Sequence, residues 1–161
     1  MRFMTPLVRL AKGILIVTLV VAVAACARGP GTGAGNAGPG NVSPGTQQDF
    51  LVSVGDRVFF DTDSSVLSQQ AQATLDKQAL WLARYPQYRV LIEGHADERG
   101  TREYNIALGA RRAAAAVNYL VSKGVNKARI TMKSYGKERP VAICNDISCW
   151  SQNRRAVTVL Q

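Results

Sequence analysis

Residues 94–113 read GHADERGTREYNIALGARRA, and the pattern changes partway along. Gly94 to Gly100 is a short polar loop bracketed by glycine, with His95 close in sequence to Glu93, Asp97 and Glu98. From Thr101 the spacing becomes helical. Thr101 suits an N-cap, and Ile106, Ala110, Ala113, Val117 and Leu120 fall on one face at about 100° per residue, which predicts the core side of the helix. Gly124 follows Lys123 at the position where a left-handed backbone ends helices. Gly109 lies inside this helix, where glycine costs about 0.8–1.0 kcal/mol relative to alanine. A close approach there by another backbone or by a ligand would explain it. Asn105 and Arg112 differ by about 20° in rotation, so they predict a polar stripe beside the apolar face.

Working outward, Tyr88 to Glu93 reads as a strand with Val90 and Ile92 on one side. Before it, Ser68 is a plausible N-cap, and Ala71, Leu75, Ala79 and Leu82 predict a helix that Pro86 ends. Residues 56–61 alternate with Val58 and Phe60 on one side, until Thr62-Asp63-Ser64-Ser65 breaks the pattern. Arg129 to Tyr135 and Arg155 to Leu160 supply two more strands. The order β-α-β-α-β-β predicts an α+β domain, a two-layer α/β sandwich with helices on one face, spanning residues 49–161.

The 161 residues, 47% of them apolar and 19% charged, can fill one core and exclude a multidomain enzyme. The formal charge of +9 overstates the domain's basicity, since Arg2, Arg9 and Lys12 precede residue 25 without any acid. That N-terminal stretch, MRFMTPLVRLAK followed by the apolar GILIVTLVVAVAA at 13–25, has the layout of a secretory signal. It is shorter than the roughly 20 residues that cross a bilayer. Its end, Val23-Ala24-Ala25-Cys26, resembles the lipobox of bacterial lipoproteins. That resemblance implies a Cys26 thioether to diacylglycerol and an acylated N-terminus, with several acyl chains anchoring the protein stably. Ala27, where an aspartate would retain such proteins, implies the outer membrane.

Residues 26–48 read as a spacer, because 27–47 hold seven of the 14 glycines and three of the six prolines and almost nothing to bury. Such a spacer reaches roughly 70 Å extended and about 25 Å as a coil.

The loop at 93–100 sits where open sheets commonly place ligands, at a strand's C-terminal end. His95, Asp97 and Glu98 raise the alternative of a metal-dependent peptidoglycan hydrolase, since imidazole and carboxylate are common metal ligands. A single His without a recognisable nucleophile points instead to a protein that is not an enzyme and holds no metal or cofactor. The more economical reading of His95 is a structural, hydrogen-bonding residue. Export argues against nucleic acid as a partner.

Taken together, GHADERGTREYNIALGARRA, SYGKERP at 134–140 and NRRAV at 153–157 resemble the OmpA C-terminal-like peptidoglycan-binding family over essentially the whole folded domain. The lipobox and spacer match its lipid-anchored members. The resemblance implies noncovalent binding of the meso-diaminopimelate end of the peptidoglycan stem peptide. Asp97 would take the ammonium and Arg112 the carboxylate, with Asn105, Phe60 and Asp61 also at the site. It further implies tethering of the outer membrane to the wall, a part in constriction during cell division, and the propeller protein TolB and the Tol system as partners. Thr62 departs from the family, which often carries an aromatic residue there. A carboxylate and a guanidinium a few ångströms apart suit a ligand end with both charges on one carbon. Replacing Asp97 or Arg112 is expected to abolish binding and leave the fold intact.

With Cys26 assigned to lipid, Cys144 and Cys149 remain, and an oxidising compartment favours their disulfide. Closing so small a loop contributes about 2 kcal/mol in the chain-entropy model.

Overall fold

The computed structural model describes residues 42–161, so the signal segment 1–25, the lipidation site Cys26 and the spacer as far as residue 41 lie outside the described residues. Strands β1 (Arg57–Phe59), β2 (Val90–His95), β3 (Ile130–Gly136) and β4 (Arg155–Leu160) form one sheet in the order β1-β4-β2-β3. β4 runs antiparallel to β1 and β2, while β2 and β3 are parallel. The helices are α1 (Gln47–Asp49), α2 (Gln69–Arg84), α3 (Arg102–Ser122) and α4 (Ile147–Asn153). The class is the expected α+β one. An additional helix, α4, stands between the last two strands, and β1 is shorter than 56–61, leaving Phe60 and Asp61 in the loop beyond it.

The two long helices start where their caps are. Ser68 Oγ accepts from the Ala71 N–H at 3.2 Å and Thr101 Oγ1 from the Tyr104 N–H at 3.2 Å, each relieving an orphan donor of the first turn. Gly124, at φ +92°, lets the chain leave α3. Ala71, Leu75, Ala79 and Leu82 of α2 are buried as expected, together with Trp81 and Gln78. Gln78 is a polar side chain in the core that is satisfied on both ends: its amide donates to the Gly55 carbonyl at 2.8 Å and accepts from Thr158 Oγ1 at 2.7 Å.

The buried face of α3 differs from the expected one. Ala113, Val117 and Leu120 do face the core, but Ile106 and Ala110 are only half-buried. Asn105, Leu108, Gly109, Arg112 and Ala116 take their share of the face, so Asn105 and Arg112 lie within the buried stripe rather than beside it. The apolar periodicity missed this because it scored a polar side chain as exposed by default.

Gly109 is explained by packing of backbone on backbone. A Cβ at Gly94 of β2 would overlap the Gly109 carbonyl oxygen, and one at Gly109 would overlap Ser134 Oγ and come within 2.9 Å of the Gly94 carbonyl oxygen. Ser134 Oγ also donates to the Ile106 carbonyl at 2.7 Å, fastening β3 to α3. Gly94→Ala is expected to cost about 3 kcal/mol, the upper end of overpacking, because rigid backbone on both sides cannot yield. Urea unfolding of the two proteins checks it.

Residues 45–55 are bound to the C-terminal half of α2 and to the turn that follows it. Tyr88 Oη donates to the Gly45 carbonyl at 2.8 Å, Trp81 Nε1 to Asp49 Oδ2 at 2.8 Å, and the Phe50 ring packs edge-on against Trp81 with centroids 5.0 Å apart. The unit that holds the sheet therefore runs from Val42 to Gln161 and begins upstream of residue 49.

Candidate functional site

The turn at 61–64 is shaped by Asp63, a non-glycine residue at φ +55°, a conformation that Asp tolerates better than most residues. This turn aims carbonyls inward, and the Arg112 guanidinium fills the space between them. Arg112 Nε donates to the Ser64 carbonyl at 2.8 Å, Nη2 to the Asp61 carbonyl at 3.0 Å and Nη1 to the His95 carbonyl at 2.9 Å. The Phe60 ring lies under the same group, with Arg112 Cζ 5.3 Å from its centroid. Arg112 is fully buried. Burial, helped by the charge of Arg154, pushes its pKa down to about 10, which leaves it cationic at neutral pH. Of the five N–H donors of a guanidinium, three are engaged and two remain.

Asp97 and Arg112 both line a cavity of about 260 Å³. The cavity is lined by Asp97, Asn105 and Arg112 together with Asp63, Arg99 and Tyr104. Thr62 lines it too, where an aromatic side chain would narrow it. Asn105, almost fully buried, donates from Nδ2 to the Arg99 carbonyl at 2.7 Å and so ties the first turn of α3 to the 97–100 loop. Lys137 fastens the other side of that loop by donating to the carbonyls of Glu98 and Gly100. Phe60 and Asp61, expected at the site, do not line this cavity: they line a second groove of about 490 Å³ and touch Arg112 from below, through the Phe60 ring and the Asp61 carbonyl.

His95 departs from the hydrogen-bonding role expected of it. Its ring is buried with neither nitrogen hydrogen-bonded, stacked on Tyr135 at 5.6 Å between centroids and 3.6 Å from Glu93. Burial, reinforced by the charges of Arg155 and Arg139, pushes its pKa down to about 4, so the imidazole is neutral at pH 7. Its contribution to the site is its backbone carbonyl. Among the described residues no three His, Cys, Asp or Glu side chains converge as a metal site, and His95 does not line the cavity that Asp97 faces. Cys144 and Cys149 form a disulfide with Cα atoms 5.7 Å apart, and it staples the start of α4.

Residues 59–154 match the model of the OmpA family. The chain belongs to the OmpA family. Within that family it is 64% identical over 148 residues to a protein of Rhizobium meliloti named peptidoglycan-associated lipoprotein, covering 91% of this chain and 84% of the relative. A protein of Agrobacterium fabrum with the same name is 57% identical over 164 residues, 98% of this chain and 93% of that one. The crystal structure of the peptidoglycan-associated lipoprotein from Burkholderia pseudomallei superposes with a TM-score of 0.64 at 47% identity, over 66% of this chain and 90% of that chain. The C-terminal domain of Helicobacter pylori MotB shares the fold, with a TM-score of 0.62 at 21% identity over 66% of this chain and 84% of that one.

Two arginines of this OmpA-family domain carry weight that the sequence reading did not assign. Arg154, with its side chain buried, donates Nε to the Phe60 carbonyl at 3.0 Å and Nη1 to Asp97 Oδ2 at 3.4 Å. Arg99 holds the same carboxylate through Nε at 3.2 Å and Nη2 at 2.7 Å. Both lie in quoted motifs, and the two-residue spacing of Asp97 and Arg99 was the one local signal available.

Burial pulls the Asp97 carboxyl up, but the hydrogen bonds and charge of Arg99, with Arg154, outweigh it and hold the pKa below the usual carboxylate range. A carboxylate with a depressed folded pKa contributes stability that is present above its unfolded value, near 3.9, and is lost as pH falls through the folded one. The stability difference between wild type and Asp97→Asn is therefore expected to be constant from pH 7 to about 5 and to shrink below about 4. Urea titrations at pH 7 and pH 3 measure it.

Proposed function

We propose that this protein is an outer-membrane lipoprotein that binds peptidoglycan noncovalently through meso-diaminopimelate and does not act as an enzyme. The observation that carries the reading is the placement of Asp97, Asn105 and Arg112 in the lining of one cavity. A free diaminopimelate end offers an ammonium and a carboxylate on one carbon, and a carboxylate facing a guanidinium is the complementary pair. Names and similarity of the relatives support peptidoglycan as the polymer. Cys26 carries the lipid in this reading, the Gly/Pro-rich spacer sets the distance to the membrane, and the domain grips the wall. TolB and the Tol system are the proposed partners, and envelope constriction during division is the proposed setting.

Full-length protein in detergent should sediment with purified sacculi and lose that association when the free diaminopimelate carboxyl is amidated. Equal sedimentation with both kinds of sacculus would rule the diaminopimelate end out as the ligand. Cys26→Ser should remove the acyl mass seen by mass spectrometry, because serine forms no thioether.

A further inference from the structure

Asp97 has no acceptor position left for a ligand. A carboxylate offers about four lone-pair sites. Oδ1 accepts from the Arg99 backbone N–H at 3.2 Å and from Arg99 Nε at 3.2 Å, and Oδ2 accepts from Arg99 Nη2 at 2.7 Å and Arg154 Nη1 at 3.4 Å. An incoming ammonium needs one of these donors to leave. They differ in their freedom to do so. The Arg99 N–H is fixed by its backbone, and the Arg154 side chain, 8% exposed, is also held by the Phe60 carbonyl. The Arg99 side chain is 41% exposed, and among the described residues its guanidinium hydrogen-bonds to Asp97 alone. Its face rests on the indole of Trp150, with Cζ 4.2 Å from the ring centroid. Trp150 is itself fixed, donating Nε1 to Glu98 Oε1 at 2.9 Å from a position next to the Cys144–Cys149 disulfide.

We propose that Arg99 is an internal stand-in for the ligand ammonium: its guanidinium occupies Asp97 in the empty site and slides off along Trp150 when the ligand enters. The inference rests on the diaminopimelate reading above and adds the residue that sets the threshold of affinity. A site that is open only part of the time weakens apparent binding by the open fraction. A bidentate but exposed ion pair with an aromatic stack under it makes that factor roughly 5- to 30-fold. The penalty falls on association, since the ligand waits for Arg99 to leave, while dissociation of the bound ligand is untouched. Arg154 and the Arg99 N–H continue to orient Asp97 when the Arg99 side chain is gone.

The test uses full-length wild type and Arg99→Gln in detergent, titrated calorimetrically with a diaminopimelate tripeptide and followed by stopped flow. Arg99→Gln is expected to bind roughly 5- to 30-fold more tightly, with the gain in the association rate. In protein labelled with 5-fluorotryptophan, ligand should shift the wild-type fluorine resonance of Trp150 toward the position it already holds in Arg99→Gln, while that of Trp81, in the core, stays put. Unchanged or weaker binding by Arg99→Gln, a gain confined to slower dissociation, or a Trp150 resonance indifferent to ligand overturns the stand-in and leaves the diaminopimelate reading in place. Failure of both proteins to bind the tripeptide overturns that reading and the stand-in with it.

Discussion

Arg112→Ala should lower the unfolding free energy by about 3–5 kcal/mol, because it strands three inward-facing carbonyls and opens the space that the guanidinium fills. In a domain of this size that is a fall in melting temperature of roughly 10–20 °C. The carbonyls of Asp61 and Ser64 define the turn over the cavity and that of His95 ends β2, so one side chain joins a loop, a strand and α3. The expectation that removing Arg112 would leave the fold intact followed from placing it beside the apolar face, and its burial reverses that. Arg112→Lys should recover only part of the loss, since one ammonium cannot span three acceptors spread across a planar fork. Calorimetric melts of the three proteins decide it. A melt of Arg112→Ala within a degree or two of wild type would mean that water replaces the guanidinium at no cost.

Asp97→Asn should lose roughly 30-fold to several-thousand-fold in affinity for a diaminopimelate muropeptide, the 2–5 kcal/mol expected when a charged ligand group is desolvated opposite a neutral partner. The shape of the cavity is kept, because asparagine is isosteric; its one oxygen can still accept from Arg99 Nη2 and Arg154, while its NH2 then faces the Arg99 N–H and Nε donors that Oδ1 accepted. Some stability is lost as well, since the buried Arg154 is left without its counter-charge. Isothermal titration separates the two effects when run below the melt of the variant. Near-wild-type affinity would place the ligand away from Asp97. Asp97→Asn and Arg99→Gln are expected to move affinity in opposite directions, although each breaks the same ion pair.

Much of this protein is written in short-range pattern. Caps at Ser68 and Thr101, the apolar repeats of α2, the alternation in β2 and the glycine past α3 act within a few residues, so the α+β class and the long elements were legible from the chain. Of the residues named from the motifs, Asp97, Asn105 and Arg112 line one cavity, while Phe60 and Asp61 line another groove. Their surroundings were not legible. Arg112 meets a carbonyl 48 residues away in the chain and Asp97 an arginine 57 residues away, and hydrophobic periodicity has no means of marking a cation as buried when its partners are distant backbone. Helix α4 was missed because seven residues make too few turns for a repeat, and its start is set by the Asp146 cap and the disulfide. Gly45 and Asp49 looked like spacer and core edge by composition, yet their contacts with Tyr88 and Trp81 draw the start of the chain's folded unit onto α2. Local propensity and amphipathic spacing determined the elements; tertiary contact alone decided which polar groups they enclose, because a buried hydrogen bond needs two partners and the sequence pattern around either one shows only half of it.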